Sequence, residues 1–313
     1  MDRRKFDKIL ALEAVENGAE IWVGCPVKKL LKKRDKVCGV HIEAGEWSED
    51  LESKVVIDAT GASGMWSSLL LRKIQGSNWI EDKMTQSNEY LMANVQKNSK
   101  IDLYFNSLFA PLGHAWIYPF YKGFAMAGIR GTRIHPDVAL DEFIGREKPS
   151  RLENSTPIGA FRRQLPVEGG LKSTCADGAL AVGSAAGQTY PLSGFGLKYA
   201  MEAGKIAGEV VMEAVDEGDS SKEILMKYDQ EWRNRFEKEL QVGTLLQEGL
   251  QTSPDRKMDS LLKIMDNSPE LQRKFMKIFL AQDLKEILED LLKETKIQQI
   301  FGRKNAEYIL SKY

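Results

Sequence analysis

The order of apolar and polar positions predicts an opening helix followed by a small meander. The first apolar positions recur at helical spacing, and a glycine follows them where a C-terminal cap belongs. These positions are Phe6, Ile9, Leu10, Ala14, Val15 and Gly18. Three β-rich runs at 19–23, 27–31 and 36–43 then predict the meander, with a polar turn at 32–35 joining the last two.

Two continuous apolar runs predict strands that are buried on both faces of a parallel sheet. The first run, at 55–57, leads into Asp58, Ala59, Thr60 and Gly61, and the second, at 179–182, leads into Gly183. A turn containing glycine and proline follows the second run, and a long helix is predicted from Phe195 onward.

Between these runs, from Asn88 to Pro166, the pattern becomes alternating and aromatic-rich, which is typical of an antiparallel sheet. Its clearest strands are expected at 101–105, 115–120 and 123–129. Beyond Gly218 the pattern is helical, with breaks at 253–254 and 268–269. We therefore predict a mixed α/β and α+β fold, in which an antiparallel sheet is inserted into a parallel-sheet domain and a helical region follows.

Composition narrows the class of protein. The 313 residues are 42% hydrophobic and carry 44 Lys and Arg against 45 Asp and Glu, so no broad positive field favours nucleic acid. The cysteines Cys25, Cys38 and Cys175 are far apart and lack zinc spacing, so neither a disulfide nor a metal site is expected. Without a secretory h-region or an apolar run of about 18 residues, the chain is predicted to be cytoplasmic, with membrane-surface contact left open.

The segment from 181 to 196 is the first candidate for chemistry. A strand that reaches a helix through several glycines presents free backbone N–H groups and the positive end of the helix dipole, which suits an anion. The alternative is a purely structural turn. Ala200, Gly204 and Gly208 follow at helical spacing and predict close packing of that helix on another backbone. Asp58 and Gly61 form a second candidate, because ligands bind at the carboxyl ends of strands in open α/β sheets.

These motifs carry a family resemblance. The stretch at 3–8, the strand at 55–61 and the turn at 183–196 follow the order seen in flavoproteins of the para-hydroxybenzoate-hydroxylase type. The stretch at 115–119, Ala-Trp-Ile-Tyr-Pro, resembles the Tyr-x-Trp-x-Phe-Pro stretch of archaeal geranylgeranyl reductases. The resemblance extends over most of residues 1 to about 240. The chain thus resembles the geranylgeranyl reductase family of FAD-dependent oxidoreductases.

The resemblance implies a fold, a cofactor and a reaction. It implies an incomplete FAD-binding Rossmann-like domain at 1–80 and 171–218, an inserted substrate domain at 81–170 and a helical region at 219–313. The reaction is reduction of carbon–carbon double bonds in prenyl (geranylgeranyl) lipids, with the electron donor left open. The implied FAD-binding residues are Arg3, Val27, Asp58, Gly61, Gly183, Ser184, Ala185, Pro191, Gly194, Phe195 and Gly196. The implied substrate-binding residues are Trp116, Tyr118 and Pro119.

His114 is a weak candidate proton donor, because a histidine pKa lies near neutrality; a hydrogen-bonded structural histidine is the alternative. The chain departs from the family at Ser184, where an aspartate is usual, and at His114 and Phe120, where a tyrosine and a lysine are usual. It also contains no G-x-G-x-x-G. Three explanations stay open: the chain is a fragment, a partner chain supplies the missing N-terminal βαβ unit, or the protein binds flavin poorly. We therefore expect weak or no FAD retention by this chain alone.

Three other functions stay open at this point. Gly183 to Gly187, followed by Pro191 and Gly194, also suits a lycopene-cyclase-like enzyme, and a flavin monooxygenase is the next option. A non-catalytic remnant or lipid-binding subunit without its own flavin site belongs to a different class.

Overall fold

The computed structural model describes residues 2–62, 84–97, 99–106, 108–111, 113–147, 149–166, 170–252, 255–293, 307–309 and 311. The opening helix α1 (Arg3–Glu16) is capped by Asp2, whose carboxylate accepts from the backbone N–H groups of Arg4 and Lys5. The meander consists of β1 (Val27–Lys33), β2 (Lys36–Ala44) and β3 (Trp47–Glu52), paired in that order. A short strand, β4 (Val56–Asp58), follows.

The strand predicted at 19–23 is wrong. Residues 19–22 have no regular structure, and Ile21, Trp22 and Val23 are exposed at 48%, 44% and 88%. The run has strand-forming residues but no neighbouring strand, and β-propensity acts through cross-strand packing. Trp22 instead approaches Trp47, with ring centroids 5.8 Å apart, at the start of β3, a strand that the sequence did not reveal.

The antiparallel sheet is confirmed. It contains β5 (Met84–Ala93), β6 (Asp102–Tyr104), β7 (His114–Tyr121), β8 (Phe124–Gly131) and β9 (Thr156–Pro166), in the order β6-β7-β8-β5-β9. Helix α2 (Pro136–Glu147) covers one face. Its Leu140 and Phe143 pack with Ala115 and Ile129, and the hydroxyl of Tyr90 donates to Asp141 at 2.9 Å. The sheet face opposite α2 is not covered by this helix and packs against other elements.

After this sheet the chain returns to the first one. Strands β10 (Cys175–Ala176) and β11 (Ala179–Ala181) join β4 in the order β10-β11-β4, and β11 runs parallel to β4. Both predicted strands and their parallel pairing are confirmed, but burial on both faces is confirmed only for β11, since Ile57 of β4 is exposed. The backbone N–H of Val37 donates to Asp177 at 2.9 Å, and Val37 packs with Ala179 and Ala181, so the meander and this sheet share a core.

Helix α3 (Leu197–Asp216) follows the glycine-rich turn and buries one face, composed of Tyr199, Ala203, Ile206, Ala207, Val210 and Ala214. The expected close packing of the small-residue stripe is not found at Gly204 and Gly208 among the described residues. Both are exposed, and no described atom lies within 4 Å of a Cβ placed on either. The stripe lies beside the apolar face rather than on it. Only Ala200 meets a neighbour, with its Cβ 3.2 Å from a Cβ built on Gly183.

The described part of the C-terminal region is helical, as predicted. It contains α4 (Lys222–Thr252), α5 (Asp255–Asp266), α6 (Pro269–Phe279) and α7 (Leu284–Leu291). Ser268 caps α6, and Pro269 occupies its first turn, as the break there predicts. The break at 253–254 lies outside the described residues. None of the helices in the described ranges is long and apolar enough to cross a membrane.

Candidate functional site

The carboxyl ends of β4 and β11 form a polar edge. Asp58 and Ala181 are register partners, and the Val182 N–H donates to the Asp58 carbonyl at 3.0 Å. The Asp58 side chain is 7% exposed, and its Oδ1 accepts from the Thr60 N–H at 3.0 Å and the Thr60 hydroxyl at 2.7 Å. Its Oδ2 is buried without a hydrogen-bond partner among the described residues. Gly61 follows, and no described atom lies within 4 Å of a Cβ placed on it. Within the described residues, the edge therefore has an acceptor without a partner beside open space.

The first half of the glycine-rich turn, residues 183–189, is stabilised by hydrogen bonds among its own residues. Gly183 has φ +61° and packs on Ala200, a conformation and spacing that favour glycine. Its N–H donates to Oε1 of Gln188 at 2.7 Å, and Nε2 of Gln188 donates to the hydroxyl of Tyr228 on α4 at 2.8 Å. The hydroxyl of Ser184 contacts that of Thr189 at 3.3 Å. Gln188 thus links the turn to the helical region.

An arginine links the second half of the turn to the antiparallel sheet. The Gly194 N–H donates to the Tyr190 carbonyl at 2.8 Å, and Gly194 has φ +78°. Arg130 of β8 donates from Nη2 to the carbonyls of Pro191 at 3.1 Å and Leu192 at 2.9 Å. A Cβ on Gly194 would lie 2.6 Å from Nη1 of Arg130, so only glycine permits this approach.

The sheet face opposite α2 is aromatic. His114, Trp116 and Tyr118 alternate along β7 and therefore share that face, with ring centroids 5.3 Å and then 5.8 Å apart. The His114 ring lies 5.1 Å from Phe279 of α6, which also approaches Phe195 of the turn at 6.5 Å. We call the whole set the aromatic face; it comprises Phe105, His114, Trp116, Tyr118, Phe195, Phe275 and Phe279. It brings the turn, the sheet and the helical region together.

Burial shifts the pKa values of titratable groups on the aromatic face and beside it. The pKa of His114 is held well below 6.5 by burial and by the Arg130 charge, so the ring is neutral near pH 7. Burial and the Glu89 carboxylate raise the pKa of Tyr118, which therefore stays protonated. Burial lowers the pKa of Arg130 to about 10, which still leaves it charged. Burial raises the pKa of Glu89, an effect that Arg163 opposes.

A small apolar cavity adjoins the aromatic face. Its volume is about 50 Å³, and it lies between the turn and the C-terminal helices. Its lining includes Leu192, Leu246, Leu261, Leu271, Phe275 and Ile278.

Comparison with known proteins identifies the family. The sequence profile described as tryptophan halogenase matches residues 1–242. The digeranylgeranylglycerophospholipid reductase 2 of Methanothermobacter thermautotrophicus is 30% identical over 272 residues, which cover 85% of this chain and 68% of that protein. The chain belongs to the digeranylgeranylglycerophospholipid reductase family. It spans about two thirds of the length of that relative.

Solved structures of related proteins show the same fold. A geranylgeranyl bacteriochlorophyll reductase-like protein from Thermoplasma acidophilum aligns with a TM-score of 0.78 and 27% identity, covering 93% of this chain and 74% of that one. A flavin-dependent brominase aligns with a TM-score of 0.66 and 19% identity, covering 97% of this chain and 74% of that one, and shows a shared fold. The mixed α/β architecture predicted from the sequence is therefore the architecture of this family.

The structure brings most of the residues expected from the family resemblance into two groups. Those at the strand edge and in the turn are Asp58, Gly61, Gly183, Ser184, Ala185, Pro191, Gly194, Phe195 and Gly196. Trp116 and Tyr118 lie on the aromatic face. Gly194 and Phe195 join the two groups through Arg130 and Phe279.

Three expected residues lie apart from these groups. Arg3 is half exposed and forms an ion pair with Asp7 at 3.0 Å on its own helix. Val27 pairs with Ile42 in the meander, a different sheet. Pro119 is exposed and, because neighbouring side chains alternate along a strand, lies on the opposite face from Trp116 and Tyr118. It therefore does not share the expected substrate surface with them.

Sequence reasoning missed Arg130, Gln188 and the contact of Phe279 with this site. Arg130 left a signal, since it is the only charged residue in the otherwise uncharged strand β8. Phe279 belongs to an apolar helical stripe that serves equally well as ordinary core, and only the fold brings it to His114.

Proposed function

We propose that this chain is an FAD-dependent oxidoreductase that reduces carbon–carbon double bonds of prenyl lipids. The observation that carries the proposal is the junction at Arg130 and Phe279, where a glycine-rich turn at the edge of a parallel sheet meets a buried aromatic surface. Membership of the reductase family supports the same reaction. An apolar, water-poor surface suits an unactivated alkene, whose reduction depends on position and exclusion of water.

The strand edge at Asp58 and the glycine-rich turn suit parts of an FAD molecule. Oδ2 of Asp58, which has no hydrogen-bond partner in the described part of the chain, and the space beside Gly61 there suit a ligand hydroxyl or N–H group at the strand edge. We propose that Asp58, Gly61 and residues 183–185 hold the dinucleotide and that residues 191–196 lie against the ring. When bound, the flavin supplies the hydride that the alkene accepts.

The surrounding side chains orient the substrate and exclude water. Trp116 and Tyr118 would bind the apolar chain through their ring faces, and Phe279 would close the surface from α6. His114 stays a proposed proton donor, but its lowered pKa restricts it to a neutral ring that offers an N–H group rather than an acidic imidazolium. Tyr118 likewise keeps its proton.

The division into domains is also a proposal. Residues 1–80 and 171–218 would form the FAD-binding domain, 81–170 the substrate domain and 219–313 the helical region. In the described ranges β4 is an edge strand, Ile57 is 41% exposed, and Gly204 and Gly208 lie open on α3. We propose that a βαβ unit of a partner chain or of a longer polypeptide covers these surfaces, because an open sheet edge invites a further strand.

A lipid substrate also favours contact with a membrane surface. The tip between β7 and β8 exposes Phe120 at 45% and Tyr121 at 73%, next to Lys122. Exposed aromatic residues beside a cation suit the lipid headgroup region. In a sedimentation assay with anionic vesicles, replacing both aromatic residues by serine should reduce bound protein, and unchanged binding would contradict this contact.

The test of function uses purified chain with added FAD. We expect weak retention of FAD, so excess FAD is supplied, reduced with dithionite without oxygen, and mixed with a geranylgeranyl lipid. Reoxidation of the flavin spectrum together with a product heavier by two hydrogens per reduced bond supports the proposal. Absence of reoxidation with several prenyl lipids, at full flavin occupancy, rules it out.

The same preparation separates the alternatives. A monooxygenase or halogenase needs oxygen, and a halogenase also needs halide, so each would be active only in an aerated arm. A lycopene-cyclase-like enzyme would change the lipid without net flavin reoxidation. A lipid-binding subunit would retain the prenyl lipid but never the flavin.

A further inference from the structure

Arg130 is a buried cation with unused donors. Its side chain is 1% exposed, and Nη2 makes both of its hydrogen bonds to the carbonyls of Pro191 and Leu192. Nε and Nη1 are buried without a hydrogen-bond partner among the described residues. Within the same residues, no carboxylate forms an ion pair with it. Burying a charge without a counter-charge is unfavourable, so stability alone does not account for an arginine here.

The neighbours of Arg130 do not neutralise it. Its register partners on the adjacent strands are His114 and Ser87, both buried and neither an acid. Glu89 lies two register pairs further along the strand, opposite Gly128, and approaches Arg163 at 3.6 Å. The indole N–H of Trp116 is likewise buried without a partner among the described residues. Arg130 and the aromatic face together thus offer N–H donors and one positive charge to a ligand.

We propose that Arg130 is an anion-binding residue of this site and that it meets the negative charge which the flavin ring acquires on reduction. The inference rests on the proposed FAD. Reduction by two electrons and one proton converts neutral oxidised FAD into a ring with one negative charge, delocalised around N1. One cation matches one such charge. Nη1 points to Gly194, in the turn proposed to lie against the ring.

A lipid phosphate is the other source of an anion, and the surroundings disfavour it. A phosphate carries more than one concentrated charge and loses strong hydration on burial. The groups around Arg130 are aromatic rings and main chain, with no second cation beside it among the described residues. A delocalised single charge is much easier to bury there.

The consequence is redox-selective binding. Arg130 should tighten the binding of reduced FAD more than that of oxidised FAD, which raises the midpoint potential of the bound flavin. A tenfold selective effect corresponds to about 30 mV for a two-electron couple.

The experiment compares Arg130→Gln and Arg130→Lys in the full chain. Dissociation constants are measured for oxidised FAD and, without oxygen, for dithionite-reduced FAD, and the midpoint potential is measured at saturating FAD. We expect Arg130→Gln to weaken the binding of reduced FAD about tenfold more than the binding of oxidised FAD. The midpoint potential of the bound flavin should then fall by about 30 mV. Arg130→Lys should retain most of the selectivity, because it keeps the charge.

Arg163→Gln is the matched control, since Arg163 lies on the next strand but one and is half exposed in its pair with Glu89. It should leave the redox selectivity unchanged. If Arg130→Gln weakens the binding of oxidised and reduced FAD equally, the inference is overturned. Arg130 would then act only by stabilising the turn. Behaviour of Arg130→Lys like that of Arg130→Gln would also overturn it.

A lipid arm separates the two anions. Arg130→Gln could weaken the binding of geranylgeranyl phosphate but not that of geranylgeraniol, and leave flavin binding unchanged. In that case Arg130 binds the lipid phosphate and the inference fails. If wild type binds FAD in neither redox state, the proposed function itself fails. FAD binding without redox selectivity leaves that function standing and overturns only the role of Arg130.

Discussion

The contact between Gly128 and Trp116 allows a sharp test of the aromatic face. The two residues pair across β7 and β8, and a Cβ at position 128 would lie 2.4 Å from Cε2 and Cζ2 of Trp116. Ordinary contact begins near 3.4 Å, so the overlap in Gly128→Ala is about 1 Å. The indole is held between His114 and Tyr118 and is 5% exposed, which leaves it little room to move.

The expected effect follows from two opposing terms. Overpacking of this kind costs about 1–3 kcal/mol. Replacing glycine by alanine also restricts the unfolded chain, which returns about 0.4–1 kcal/mol. Gly128→Ala should therefore lower the free energy of unfolding by about 1–2 kcal/mol.

The assay is urea unfolding combined with near-ultraviolet circular dichroism, which reports the environment of the indole. Gly145→Ala on α2 is the control, because Gly145 is exposed and no described atom lies within 4 Å of its Cβ position. It should stabilise by about 0.5–1 kcal/mol. Adding Trp116→Phe to Gly128→Ala removes the clashing atoms and should give less destabilisation than the sum of the single changes. A wild-type urea midpoint and spectrum for Gly128→Ala would refute the placement of Trp116.

Three further predictions concern buried polar groups. The pKa of His114 is lowered in the folded protein, so its stabilising contribution is present above pH 6.5 and is lost as the pH falls towards the folded value. His114→Phe should therefore lose less of its thermal midpoint between pH 7 and pH 5 than wild type does. The pKa of Glu89 is raised instead, so the charged form is disfavoured in the fold, and Glu89→Gln should gain stability relative to wild type as the pH rises from 4 to 7 in urea titrations. Gln188→Ala leaves the Gly183 N–H without its partner and should lower the free energy of unfolding in urea by about 2–3 kcal/mol. Tyr228→Phe removes only the outer hydrogen bond and should lower it by about 1 kcal/mol. Equal losses in the two variants would contradict the central role of Gln188.

Local pattern was sufficient for the elements whose environment is uniform. The apolar run at 179–182 is buried at every position, and the run at 55–57 contributes to its parallel neighbour β4, although Ile57 is 41% exposed. The break at 268–269 begins helix α6 through the chemistry of one capping serine and one proline in the first turn. The order of the motifs was sufficient for the family, because that order is carried by the chain itself.

Pattern alone was insufficient where a neighbour decides the outcome. Residues 19–23 have strand-forming side chains but no strand beside them, whereas the polar run at 47–52 becomes β3 because β2 pairs with it. Gly204 and Gly208 have the spacing of a packing stripe, yet the fold turns a different face of α3 inward.

The candidate site divides in the same way. The sequence by itself determined the glycine-rich turn, the strand edge at Asp58 and the aromatic residues of β7, because each lies within one short segment. Only the tertiary structure decided that Phe279 closes on His114 and that Arg130 reaches the carbonyls of Pro191 and Leu192. Those contacts join segments more than sixty residues apart, and their energy depends on distances and burial that no local pattern of residues encodes.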